Sequence, residues 1–163
     1  GGGRVRVSGV PRGGLERGRT HHGREAIGEA GRARERRCRG DVWRTAFGKP
    51  LAKLGANYDI MAERRRAIEQ ARLLCLKAAW MMDQGDPRAA APWISQIKVV
   101  APRVALETVD EAMQMHGGTG VSQDTPLAAM WTGLRTLRFD DGPDAVHRMV
   151  IGRKELKPYA NEG

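Results

Sequence analysis

The sequence predicts an all-α protein, an antiparallel, up-down bundle of three long helices and two shorter ones, and three observations lead there. Hydrophobic residues make up 40% of the 163 residues but aromatic residues only 5%. A core built from Leu, Val, Ile, Met and Ala suits helix packing better than a sandwich of aromatic and β-branched strands. Apolar residues return at steps of three, four and seven through long stretches of the chain, the spacing that places them on one side of a helix. Short Gly, Pro and Asp clusters separate those stretches, as brief connections between antiparallel neighbours require. The length is one domain's worth, enough for a single sizeable core.

Taken in order, residues 1–17 alternate weakly, with Val5, Val7 and Val10 among Gly and Arg, and read as irregular. Over residues 18–46 a helical phase passes through Ile27, Ala30, Ala33, Cys38 and Val42, but Arg34 and Arg37 interrupt the face that should be buried. Phe47-Gly48-Lys49-Pro50 breaks the chain, because proline disfavours helical geometry in the residue before it. A clearer helix carries Ile60, Ala67, Ala71, Leu74, Cys75, Ala78 and Met82, and stops at Gly85-Asp86-Pro87. The next has Trp93, Ile97, Val100, Val104, Thr108, Ala112 and Met115 on one stripe; Pro102 inside it should kink rather than end it, since the apolar phase continues on both sides. The Gly117 to Gly120 cluster terminates that helix. Asp124-Thr125-Pro126 reads as a capping side chain followed by an early proline, and Leu127, Met130, Trp131, Leu134 and Leu137 follow in phase. A last helix begins after Gly142-Pro143, with Val146, Met149, Val150 and Leu156 expected on its buried side, and fades by Pro158 into a tail over 158–163.

The net charge of +9 is concentrated. Residues 1–50 hold 13 Lys+Arg against 5 Asp+Glu and 12 of the 21 glycines, which leaves the remainder at +1. A basic, glycine-rich stretch attracts polyanions nonspecifically, yet it lacks the aromatic interleaving that stacks bases. No specific nucleic-acid role is expected, and any residual binding by residues 1–40 should be steeply salt-dependent. Cys38 and Cys75 stand apart, with no metal-ligand spacing around them, which reads as two reduced thiols in a cytoplasmic protein. His21 and His22 are neighbours and cannot both face one ion from a regular helix, so no metal is assigned. No apolar run approaches the ~20 residues of a membrane span.

Two stretches present chemistry. Gln114-Met115-His116-Gly117-Gly118-Thr119-Gly120 and Phe139-Asp140-Asp141-Gly142-Pro143 each set a polar residue beside a glycine break, where backbone can approach a ligand. Asp141 has only glycine and proline after it as cover. Read from residues alone, the first is also a helix stop, and the second a set of acids favoured at a helix entry. His116 and His147 read as packing or supporting residues rather than acids or bases.

The spacing of four ordered blocks resembles the C-terminal helical domain of the acyl-CoA dehydrogenases, over about residues 18–156. The blocks are Arg44-Thr45-Ala46-Phe47-Gly48-Lys49, Ile97-Lys98-Val99-Val100-Ala101-Pro102, the run from Gln114 to Gly120, and the run from Arg138 to His147. Gly18-Arg19 followed by His21-His22, and aspartate where most of that superfamily has glutamate, resemble one subgroup. The resemblance implies an FAD-dependent oxidoreductase that introduces an α,β double bond into acyl-CoA thioesters, with electron-transfer flavoprotein or a similar acceptor as partner and a homodimer or homotetramer as the working assembly. It implies Asp141 as the general base. Arg44 is then the contact to the cofactor's pyrophosphate, Phe47 an aromatic packed by the same cofactor, and Gln114, Gly117 and Gly118 the motif reaching the ADP half of a cofactor held mainly by a neighbouring subunit. Arg19 would lie where a cation faces the acyl-CoA. Family members place a helical and a β domain ahead of this bundle, so the chain reads as their terminal third, inactive alone and weak in FAD binding. From another class, the alternative is a noncatalytic helical assembly module with a basic, flexible arm.

Two departures stand out. Gly55 occupies a position where the family has glutamine near the adenylate. Arg34, Arg36 and Arg37 stand at positions where relatives of the subgroup that the chain resembles tend to have leucine or methionine, and Gly23, Gly31 and Gly40 are added; each buried, unpaired arginine would cost several kcal/mol and each helix-interior glycine roughly another 1. The first helix is therefore expected to be unstable, as if an error-rich or decaying coding segment had produced this block.

Overall fold

The computed structural model describes residues 12–160, with side chains from residue 17 onward. Three long helices dominate: α1 (Arg12–Trp43), α2 (Asn57–Asp83) and α3 (Pro87–His116). A one-turn α4 (Gly118–Val121) and the shorter α5 (Leu127–Thr136) and α6 (Asp144–Leu156) complete the helical set. The expected all-α bundle is present. Residues 12–17, expected to be irregular, are the first turns of α1; the rest of the stretch read as irregular, residues 1–11, lies outside the described residues, as does the tail beyond residue 160.

Between α1 and α2 the chain makes a minimal hairpin, β1 (Thr45–Ala46) against β2 (Lys49–Pro50), antiparallel with Thr45 opposite Pro50. Its two central residues, Phe47 and Gly48, have φ of 51° and 74°. Positive φ at both is the type I′ pattern, whose twist matches the paired strands. Proline thus ends the hairpin as well as barring the helix.

Helix α3 is central and packs against α1, α2, α5 and α6. Asp86 caps it, accepting from the Arg88 and Ala89 amides at 2.9 and 3.3 Å, with Pro87 in the first turn. It runs unbroken through Pro102. The stripe read from the sequence is one side of its contact surface; Ala90, Ile94, Lys98, Ala101, Ala105 and Val109 form a second buried seam. Helix α2 runs antiparallel to α3, so that Arg64 meets Glu107 at 2.6 Å at one end and Lys77 lies 5.3 Å from the Trp93 ring centroid at the other.

Helix α1 corrects the expectation of damage. Its buried seam is Thr20, Gly23, Ala26, Ile27, Ala30 and Ala33, and it continues in Arg37 and Asp41 rather than Cys38 and Val42. Val42 is 60% exposed. A side chain at Gly23 would meet Ile97 Cδ1 at 3.2 Å and Cys75 Sγ at 3.5 Å, so the glycine lets three helices approach closely, which offsets its roughly 1 kcal/mol helical disadvantage. Arg36 is exposed and Arg34 half-buried. Arg37 is buried but paired: it donates to Asp41 Oδ2 (3.4 Å), to Glu111 Oε2 (2.9 Å) and the Glu111 carbonyl (3.0 Å), and to Asn57 Oδ1 (3.0 Å). Outer arginines pair along the helix, Arg32 with Glu29 and Arg39 with Glu35.

Two further expectations change. Asp124 does not cap α5, which starts after Pro126 without a side-chain cap. On α6, Val146, Met149 and Leu156 are exposed, and the buried residue is His147. Apolar spacing alone does not say which face meets the core when the helix is short and peripheral.

Candidate functional site

The loop between α5 and α6 is held from three sides. At its start, Lys98 reaches from the middle of α3 and donates to the carbonyls of Leu137 (2.8 Å) and Asp140 (2.5 Å). At the far side, Arg138 donates to Asp144 Oδ2 through Nε (2.8 Å) and Nη2 (2.6 Å), and the Asp144 amide returns to the Arg138 carbonyl at 3.2 Å. That pair ties the end of α5 to the first turn of α6 and closes the loop across its base.

From α1, Arg19 donates to the Asp141 carbonyl through Nε (3.3 Å) and Nη2 (3.0 Å). Within these restraints Asp141 takes φ of 52° and Gly142 φ of 106°. A left-handed conformation at a non-glycine residue costs about 1–3 kcal/mol and persists only where surrounding contacts impose it. The Asp141 carboxylate points at α1, with Oδ2 at 3.5 Å from His22 Nδ1 and 3.5 Å from where a side chain on Gly18 would begin. Its side chain is 24% exposed, open enough to be reached and largely screened by the helix.

Two buried basic groups lie beneath. Lys98 is 1% exposed; burial pushes its pKa down, the Asp141 and Asp140 carboxylates push it back up, and Arg19 opposes them. His147 is buried under Gly142, whose missing side chain would sit 3.3 Å from Nε2. Burial lowers its pKa first, and the Arg19 and Lys98 charges lower it further. The Asp141 backbone and the Asp144 charge act the other way, although neither ring nitrogen makes a hydrogen bond of good geometry among the described residues.

A second group forms where α1 ends. Arg44 Nη1 donates to the Met115 carbonyl at 2.8 Å, which brings it beside Gln114, Gly117 and Gly118 at the end of α3. Gly117 has φ of 59°, and all three are exposed. Phe47 stands on the hairpin tip, 95% exposed. Gly55 has φ of 56° in the turn before α2, where glutamine would be strained. An exposed guanidinium, a bare glycine turn and a free aromatic ring fit a ligand with phosphates and flat rings. Residues 19 and 44 are 25 positions apart along α1, about 37 Å at 1.5 Å per residue, so the two groups stand at opposite ends of the bundle.

The sequence matches the family model described as "Acyl-CoA dehydrogenase, C-terminal domain" over residues 9–156. The chain belongs to the acyl-CoA dehydrogenase family. It is 48% identical over 139 residues to "Probable acyl-CoA dehydrogenase FadE2" of Mycobacterium tuberculosis, covering 85% of this chain and 34% of that protein. It is 44% identical over 153 residues to "Acyl-CoA dehydrogenase family member 11" of Rattus norvegicus, covering 94% and 20%. Among solved structures, butyryl-CoA dehydrogenase from Megasphaera elsdenii matches with a TM-score of 0.83 and 31% identity over 89% of this chain and 37% of that one. The chain thus spans about a third or less of the length of these curated relatives.

Of the expected site residues, Asp141 and Arg19 come together, and Arg44 joins Gln114, Gly117 and Gly118. Arg19, expected to face a substrate, uses two donors on the Asp141 carbonyl. Sequence reasoning missed Lys98 as a site residue. Its signal was a lysine in phase with Ile94, Ala101 and Ala105, on a seam otherwise apolar. Among the described residues no cluster of three His, Cys, Asp or Glu could hold a metal, and no helix is long and apolar enough to cross a membrane.

Proposed function

We propose that this chain works as the C-terminal helical domain of an FAD-dependent acyl-CoA dehydrogenase, with Asp141 as the base that removes the proton α to the thioester carbonyl. The observation that carries the reading is the placement of the Asp141 carboxylate, partly screened against α1, in a loop whose carbonyls are held by Arg19 of α1 and Lys98 of α3. A base must be held within reach of one proton, and a loop pinned through its carbonyls leaves the carboxylate oxygens free to accept it. Bound FAD supplies the acceptor for the β hydrogen and its electron pair.

The chain's own residues divide the remaining work. Arg19 and Lys98 hold consecutive carbonyls of the base loop. Arg44, Phe47 and the Gly117-Gly118 turn offer a cation, a ring and bare backbone to the cofactor's phosphate and adenylate end. Because that group stands about 37 Å from Asp141 along α1, the reading assigns the two groups of one subunit to two different active sites, as in a homodimer or larger assembly. Acyl-CoA is the substrate class, and an electron-transfer flavoprotein the acceptor.

The test is Asp141→Asn in the full-length holoenzyme, followed by loss of flavin absorbance on mixing with acyl-CoA. Removing a general base should slow flavin reduction by about 10²–10⁴-fold, with FAD still bound. Reduction at the parent rate would remove Asp141 from the role.

A further inference from the structure

We propose that Lys98 is the positioning residue of the base loop, a buried ammonium that grips the end of α5 and so sets where the Asp141 carboxylate points. The inference rests on the reading of Asp141 as base.

Both hydrogen bonds of Lys98 go to backbone carbonyls, Leu137 at 2.8 Å and Asp140 at 2.5 Å. Those carbonyls lie just past α5, where a helix leaves acceptors without partners and a cation is favoured. The next carbonyl, that of Asp141, is taken by Arg19. Two consecutive carbonyls are therefore held by cations from two different helices, and the residue between the grips is the one with φ of 52°. A single grip would let the peptide rotate; two fix it.

An apolar side chain would fill the same seam between Ile94 and Ala101 without the cost of burying a charge. The ammonium is retained where its donors face the loop. The groups around it are Arg19 from α1, Asp140 and Asp141 from the loop, and Asp144 and His147 from α6.

The experiment compares Lys98→Met and Lys98→Gln with Asp141→Asn in the full-length holoenzyme. Lys98→Met should reduce flavin at least tenfold more slowly at saturating acyl-CoA, with acyl-CoA affinity changed less than threefold. Amide exchange should speed up over residues 138–142 and not elsewhere. Lys98→Gln, which keeps a donor without the charge, should recover part of the rate. Flavin reduction by Lys98→Met within twofold of the parent would overturn the inference, as would failure of both lysine variants to fold with FAD, which would make the lysine a core-building residue. If Asp141→Asn kept the parent rate, the base reading itself would fail, and that result is separate from the lysine outcomes.

Discussion

At the scale of single residues, Arg37 decides how α1 is to be understood. An arginine at a core position is destabilising when alone, and the structure gives this one four acceptors on Asp41, Glu111 and Asn57. The consequence reaches further, because Asn57 donates in turn to the carbonyls of Leu51 (2.6 Å) and Leu54 (2.9 Å), and the Leu51 amide donates to the Arg44 carbonyl. Arg37→Met removes the cation and leaves Asp41 buried without its partner. Breaking a buried pair from one side costs about 3–5 kcal/mol, so urea unfolding followed by helical circular dichroism should shift by an amount of that order. Arg37→Met combined with Asp41→Leu should regain most of it. An unchanged midpoint in the single variant would mean that the network contributes nothing.

At the scale of elements, the helices were legible because their apolar spacing is a local property of the chain, and α2 and α3 were read nearly to their ends. The orientation of a short helix was not, since α6 buries His147 and exposes Met149 for reasons that lie in its neighbours. The seam of α1 was misread because its last two buried positions are charged, and pairing across Arg37, Glu111 and Asn57 is invisible to periodicity. Asp141 and the Arg44 group came from a resemblance to known motifs; Lys98 needed the fold. The hairpin offers a test of its own. Gly48 has φ of 74° with nothing within 4 Å of where a side chain would begin, so a substitution there meets no clash, only backbone strain. Gly48→Val should strain the turn by about 1–2 kcal/mol and reorient Phe47 and Arg44. Equilibrium FAD binding should weaken severalfold while the melting temperature barely moves, because an exposed hairpin can relax locally. Full FAD affinity in Gly48→Val would separate the hairpin from the cofactor.

At the scale of the whole molecule, the length of α1 constrains the assembly. Asp141 is tied to residues 18, 19 and 22, and Arg44 to Met115, so a straight helix keeps them about 37 Å apart. If each active site takes its base from one subunit and its phosphate contact from another, defects in the two residues should complement. Asp141→Asn and Arg44→Met subunits, each inactive as a pure assembly, form mixed dimers in which one site carries both defects and the other carries neither. Random pairing in a two-fold dimer leaves about a quarter of all sites intact, so co-refolded or co-expressed mixtures should recover about that share of the parent's flavin reduction. A site built within one subunit predicts no recovery at any mixing ratio, because every subunit then carries one of the two defects. The recovered fraction, measured against mixing ratio, therefore distinguishes a shared site from a private one.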